Sequence, residues 1–305
     1  MQRYLIRRLL LAPLSLLFVS AIVFVILNVT GDPVVVYLGT EATPERVAEL
    51  RAQMGLDQPV AVQFVRFAAG MVRGDFGRSL RFDRPAIQVV RLALGPTLKL
   101  AAVGLACALA AGLLLGVVAA LRRGSWLDQA IGGVSVLGLS MPSFWLGIML
   151  IIFFSVRLRW LPTSGMEGPW HYVLPAITLA TFLAPQFTLL VRASLLQVLH
   201  ELYVTTARAK GLGERRVLSR HVLRNALPTI IAFVGLQLGT VMGGAVVTET
   251  VFAWPGIGRL TVDAVSMRDV PVVEAAVIVL AVAVVLANLA ADLANGLVDP
   301  RIRYD

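Results

Sequence analysis

Apolar residues run through this chain in long stretches, and the polar residues collect between them. A helix needs roughly 20 apolar residues to cross a hydrocarbon core. Six stretches meet that length, at about 9–29, 97–121, 130–156, 173–191, 226–251 and 272–296. Helices embedded in lipid are often apolar all round, so periodicity does not help to place them. The pattern predicts an all-α polytopic membrane protein with six transmembrane helices.

The segment 30–96 reads differently. Thr43-Pro44-Glu45 has the form of an N-cap followed by proline at the first helical position. Val47, Leu50, Met54 and Leu56 then give an approximate helical stripe, which Gly55 can end. A second stripe runs through Val60, Phe64, Phe67, Ala68, Met71 and Val72. Two amphipathic helices outside the membrane must bury those faces, on the protein's own surface or on an external partner. The chain thus divides into a tail with helix 1 (1–29), a helical outer segment (30–96) and a core of helices 2–6 (97–305), whose largest inner loop is 192–225.

Basic residues orient these spans. With the N-terminus inside, the short inner segments hold 14 Arg and Lys and the short outer loops four. Cytoplasmic loops carry such an excess, so both termini are expected in the cytoplasm. Arg3, Arg7 and Arg8 precede the first run, which outlasts a signal-peptide core and lacks a small-x-small cleavage site. It is expected to be an anchor.

Composition agrees. The 305 residues are 58% hydrophobic and 15% charged, with a mean hydropathy of +0.81. A soluble domain of this size needs more polar surface than that. The net charge of +9 is explained by inner-loop arginines, without nucleic acid. Cys107, the single cysteine, is expected as a small buried residue and forms no zinc or disulfide framework alone. The three histidines show no metal spacing, so no metal site and no catalytic constellation is read.

Ionisable groups are scarce inside the spans. Lys99 and Glu249 sit near outer ends and Asp292 near an inner end, each expected as an interfacial group. A proton- or sodium-coupled transporter usually places such groups near the midplane. Their scarcity argues against a stand-alone secondary transporter or channel. Neither lysine fits G-x-x-x-x-G-K-[ST], so an ATPase driving transport would be another chain. Gly104, Ala108, Gly112 and Gly116, and Gly235, Gly239 and Gly243, recur every four residues. Such stripes permit close helix approach, within the chain or to a second subunit. Pro142, Pro175, Pro185 and Pro228 interrupt or border spans.

The densest basic cluster is HELYVTTARAKGLGERRVLSRHVLRNALP, residues 200–228. It reads as helix, turn, helix, with Gly211 ending the first and Gly213-Glu214 starting the second. A compact hairpin of this kind suits docking in a groove of a cytoplasmic partner.

This loop resembles the EAA loop of bacterial ABC importer permeases. In that pattern E-A-A is followed by three residues and Gly, then nine residues and I-x-L-P. Ala207, Gly211 and Leu223 match it, whereas Thr205, Thr206, His221 and Arg224 depart from it. The text 206–228 is more similar to the peptide/nickel branch, the oligopeptide and dipeptide permease B-type subunits. GDP at 31–33, ATPERVAELRAQMGLDQP at 42–59, GDFGRSL at 74–80, MPSFWLG at 141–147, VFAWPGIGRL at 251–260 and LVDPRIRY at 297–304 agree in order.

The resemblance implies a type I importer permease of the bacterial inner membrane, importing short peptides or related solutes. Branch members also carry glutathione and nickel chelates. It implies a second related permease, two cytoplasmic ABC ATPases that bind ATP and Mg, and a periplasmic or extracellular substrate-binding protein. This chain itself would hold no cofactor. Thr206, Ala207, Arg208, Ala209, Lys210, Gly211, Leu212 and Leu223 would couple to the ATPases. There Ala207 and Ala209 would allow close approach, and Arg208 and Lys210 would meet acidic groups. Ser140, Ser143, Gln186, Gln237 and Asn288 are candidates for the pathway, with interhelical hydrogen bonds as the alternative. Trp254, Pro255 and Gly256 are candidates for an outer gate or a rigid outer turn.

Overall fold

The computed structural model describes residues 2–29, 34, 38, 43–79 and 81–298. GDP at 31–33, Leu80, most of the LVDPRIRY ending and the side chains of Arg3, Arg7 and Arg8 lie outside the described residues. Apart from one isolated bridge, Arg78 to Pro85, the described residues form helices and turns.

In chain order these are α1 (Gln2–Val29), α2 (Pro44–Met54), α3 (Val60–Arg73), α4 (Ala86–Leu121), α5 (Trp126–Ser140) and α6 (Ser143–Leu150). A π turn over Ile151–Arg157 extends α6, and a 3-10 turn over Pro169–Tyr172 leads into α7 (Val173–Leu199). Then come α8 (Leu202–Ala209), α9 (Glu214–Val217), a second π turn (Leu218–Leu223), α10 (Arg224–Val251), α11 (Ile257–Ser266) and α12 (Val270–Val298).

Four helical stretches are long and apolar enough to cross a membrane: 86–121, 169–199, 214–251 and 270–293. A broken pair, α5 with α6 and its π turn, makes up to five. In the first run the apolar helix among the described residues is the shorter stretch Pro13–Ile26.

Three expectations are corrected here. The run 130–156 is not one straight helix, because it breaks at Met141-Pro142 and bends by 101°. Proline there supplies no backbone donor and disfavours helix at the residue before it. Helix α4 starts at Ala86 instead of 97 and carries Pro96 inside it. Its 36 residues span about 54 Å at 1.5 Å each, well beyond a hydrocarbon core. Lys99, inside this longer helix, is exposed. Cys107 is exposed, not buried, as an apolar position facing lipid or another chain is free to be.

The chain divides into two compact units. The first comprises 1–97, 255–285 and 304–305. Its core gathers Phe76, Ala86, Val90, Ile257, Val272 and Ala276, with Phe67 and Met71 of α3 packed against it. Phe24 of α1 lies 5.4 Å from Phe64 and 6.0 Å from Phe67, ring centre to ring centre. Phe64, Phe67 and Met71 of the α3 stripe are thus used inside this unit, whereas Val60 and Val72 stay exposed. Helix α2 begins as its sequence predicts, with Thr43 Oγ1 accepting from the Arg46 amide, and ends at Gly55 with φ of +68°.

The second unit comprises 98–254 and 286–303. Its centre is α7, which packs against α5, α6 and α10. The first glycine stripe serves this packing. A Cβ on Gly112 would fall 2.3 Å from the Phe187 Cβ, and one on Gly116 2.7 Å from the Val191 Cβ. Gly235 meets Ala291 in the same way, whereas a Cβ on Gly243 would meet nothing within 4 Å.

Candidate functional site

The loop at 200–228 is built on an apolar floor. Val204 and Ala207 of α8 are buried with Val217, Val222 and Ala226, and Leu212 and Leu223 pack against them. Helix α8 stops where the sequence stops it. Gly211 takes φ of +79°, a conformation costly for residues with a Cβ, and its amide donates to the Arg208 carbonyl at 2.9 Å. Gly213 then caps α9.

Three expectations for this loop change. The second helix is no separate hairpin arm, because α9, the π turn and α10 run on as one helical stretch from Glu214 to Val251. Ala207 does not face outward for a close approach, since it is 6% exposed and forms part of the floor. Arg208 is engaged within the chain, its Nη2 and Nε donating to Glu214 at 2.6 and 3.2 Å. The outward face of α8 instead carries Leu202, 84% exposed, with Tyr203, Thr206, Ala209 and Lys210.

Of the pathway candidates, the structure brings two together. Gln237 Nε2 donates to Gln186 Oε1 at 2.6 Å, joining α10 to α7, and Gln237 is 2% exposed. Ser140 and Ser143 flank the Met141-Pro142 break, with Ser140 Oγ donating to the Val136 carbonyl at 2.9 Å. Asn288 lies half-buried on α12, apart from these in sequence.

At the other end of α10, two residues before its last, Glu249 is fully buried. Its carbonyl accepts from the Trp254 amide at 2.8 Å. Trp254 is itself fully buried and edge-on to Tyr172, 4.6 Å between ring centres. Ala253 takes φ of +48° to make this turn. Pro255 is exposed, and Gly256 caps α11. Beside them the Ile257 amide donates to Thr97 Oγ1 at 2.8 Å.

Sequence reasoning missed an ion pair. Asp128, nearly buried, receives Arg192 Nε and Nη2 at 2.7 and 2.8 Å. Ser125-x-x-Asp128 is a capping-box spacing, and it signals the site. Ser125 Oγ accepts from the Asp128 amide, and Asp128 Oδ2 accepts from the Gly124 amide at 3.0 Å. Glu274, 7% exposed on α12, was also passed over because it stands alone in an apolar run. Among the described residues no cluster of His, Cys, Asp and Glu could hold a metal ion.

Residues 112–304 match the family described as binding-protein-dependent transport system inner membrane component. Residues 1–87 match the N-terminal component of such systems. The glutathione transport system permease protein GsiC of Salmonella paratyphi A is 41% identical over 305 residues, covering 100% of both chains. GsiC of Escherichia coli strain K12 is equally similar, again end to end. A chain of the MetNI methionine ABC transporter, in inward facing conformations, aligns over 70% of this chain and 97% of its own. The TM-scores are 0.61 and 0.56 in two crystal forms, at 20% identity, which shows a shared fold.

Proposed function

Because the chain belongs to the binding-protein-dependent transport system inner membrane component family, and is a permease subunit of an ABC importer, we propose that it carries tripeptide-sized solutes inward, glutathione first among them. The observation behind the substrate is the 41% identity to glutathione permeases from end to end. Other short peptides and nickel chelates are the competing cargoes.

In this reading the chain crosses the bacterial inner membrane six times, with α1 as the first crossing and the bent α5–α6 pair as the third. Both termini and the 200–228 loop face the cytoplasm, which follows the excess of basic residues there. Segment 30–96 faces the periplasm. A second, related permease completes the path, and a substrate-binding protein delivers the solute from outside. Two ATPase chains bind ATP and Mg and do the hydrolysis. This chain supplies no catalytic residue.

The outward face of α8 is the coupling surface. Leu202, Thr206, Ala209 and Lys210 meet an ATPase groove there, and the left-handed turn at Gly211 fixes the angle of the helix. Ala207, Leu212 and Leu223 act from beneath, holding α8 on its apolar floor. Leu202 and Tyr203, both exposed on this face, support this, since apolar side chains on a packed helix suit anchoring in a partner's groove.

The test is purification of the tagged protein from its native cells in mild detergent, followed by mass spectrometry. A second permease and ATPase chains at comparable stoichiometry are expected. Recovery of the protein alone, under conditions that keep a known complex intact, contradicts the coupling role.

A further inference from the structure

Within the first unit lies a cavity of about 760 Å³, a size typical of small-molecule sites. Arg81, Arg84 and Arg259 line it, against one carboxylate, Asp263. Arg259 Nε lies 3.6 Å from Asp263, so those two charges face each other. Arg84 makes no side-chain hydrogen bond or ion pair among the described residues. The Arg81 guanidinium touches Met267 Sδ and lies 5.9 Å from the Phe82 ring centre, neither of which neutralises it. Two guanidinium groups that form no ion pair among the described residues therefore share one concavity, with the Asp269 carboxylate taken up by Ser79 and the Arg81 amide. Val89, Leu92, Pro96 and Leu260 give it an apolar wall, and low-dielectric walls strengthen the field of charges set in them.

The turn that carries Arg81 and Arg84 is fixed in advance. Asp269, buried at the edge of an adjoining cavity of about 80 Å³, accepts from Ser79 Oγ. Ser79 Oγ in turn accepts from the Phe82 amide at 3.0 Å, and the Ser79 amide donates to the Arg84 carbonyl at 2.8 Å. Arg78 Nη2 holds the Asp83 carboxylate at 3.0 Å. A backbone held in this way lowers the cost of ordering the turn when a ligand binds.

We propose that this cavity binds the carboxylate of a small amphipathic solute, gripped by Arg81 and Arg84 with its apolar part on the Leu92–Pro96 wall. Guanidinium forks match a carboxylate with two parallel hydrogen bonds, and short peptides bring both a carboxylate and apolar surface. The proposal rests on the importer reading above, in which this unit receives solute on the outer side.

The test uses the assembled transporter in phosphatidylcholine nanodiscs, without binding protein or ATP. Trialanine and trialanine amide are the probes, and saturation-transfer NMR titration gives their affinities. Trialanine is expected to bind at least ten-fold more tightly than its amide. Arg84→Ala and Arg81→Ala should each weaken trialanine about ten-fold and leave the amide unchanged, with Arg84→Lys between. Equal binding of the two probes, or affinities indifferent to both substitutions, overturns the site. So does loss of trialanine binding when phosphatidylglycerol is added, which would make a lipid headgroup the occupant. Co-purification of the unsubstituted chain with ATPases separates the two readings. An intact complex without carboxylate dependence sinks this site alone, and no complex at all sinks the importer assembly.

Discussion

Arg192 holds Asp128 with two nitrogens at once, at 2.7 and 2.8 Å, and so ties the start of α5 to α7. The carboxylate is nearly buried and also accepts from the Gly124 amide. Removing one partner of such a pair leaves a charge without its counter-ion. Asp128→Asn and Arg192→Gln should each reduce the folded protein recovered from membranes. The double variant should be no worse than the poorer single one. Fluorescence-detected size-exclusion chromatography reads this, and strictly additive losses would deny the coupling.

The α4–α7 seam has no spare room. An alanine methyl at Gly112 or Gly116 would overlap Phe187, Val191 and the backbone at Thr188. Each substitution should destabilise by about 1–3 kcal/mol. Gly243→Ala, whose methyl would meet nothing within 4 Å inside α10, should be neutral or stabilise by up to about 1 kcal/mol. Denaturant titration in mixed micelles measures all three.

Gly211 tests coupling. Proline cannot adopt φ of +79°, and it removes the amide that donates to Arg208. Gly211→Pro should leave the protein in the membrane and its ATPases active, while uptake falls about ten-fold or more. Asparagine tolerates the left-handed region, so Gly211→Asn should retain most uptake. Normal uptake by the proline variant would remove the loop from the coupling role.

The Gln186–Gln237 hydrogen bond joins two membrane helices at 2.6 Å. A double-mutant cycle with leucine at each position should give a coupling of about 0.6–2 kcal/mol. A coupling near zero would mean that the bond contributes nothing to the packing of α7 on α10.

What the sequence made legible was local and chemical. Thr43, Gly55 and Gly211 announce helix ends because capping and positive φ depend on one or two residues. The apolar runs at 173–191, 226–251 and 272–296 are helical where the hydrophobic pattern placed them. The 101° break at Met141-Pro142 did not follow from that pattern, because hydropathy records how apolar a stretch is and carries no direction. The start of α4 was misplaced for a related reason. Arg91 and Pro96 make its first turns look like loop, while packing in the first unit keeps them helical. The burial of Ala207, Glu249 and Asp128 depends on which helix lies opposite, and one chain read alone does not state its neighbours. Arg81 and Arg259 stand 178 positions apart in the chain, so only folding gathers them, with Arg84, around one cavity.

The π turn over Leu218–Leu223 has a rotational meaning. It lies between the capped start at Gly213 and the long run of α10. Each residue of an α-helix turns the chain by about 100°, and a π turn takes up one residue more than an α turn. It therefore sets the azimuth of α8 and the turn at Gly211 relative to every side chain of α10. Shortening it by one residue would leave the floor, the cap and the membrane helix each intact in themselves. It would also swing Leu202 and its neighbours about a third of the way around the axis, as a key is turned without being reshaped.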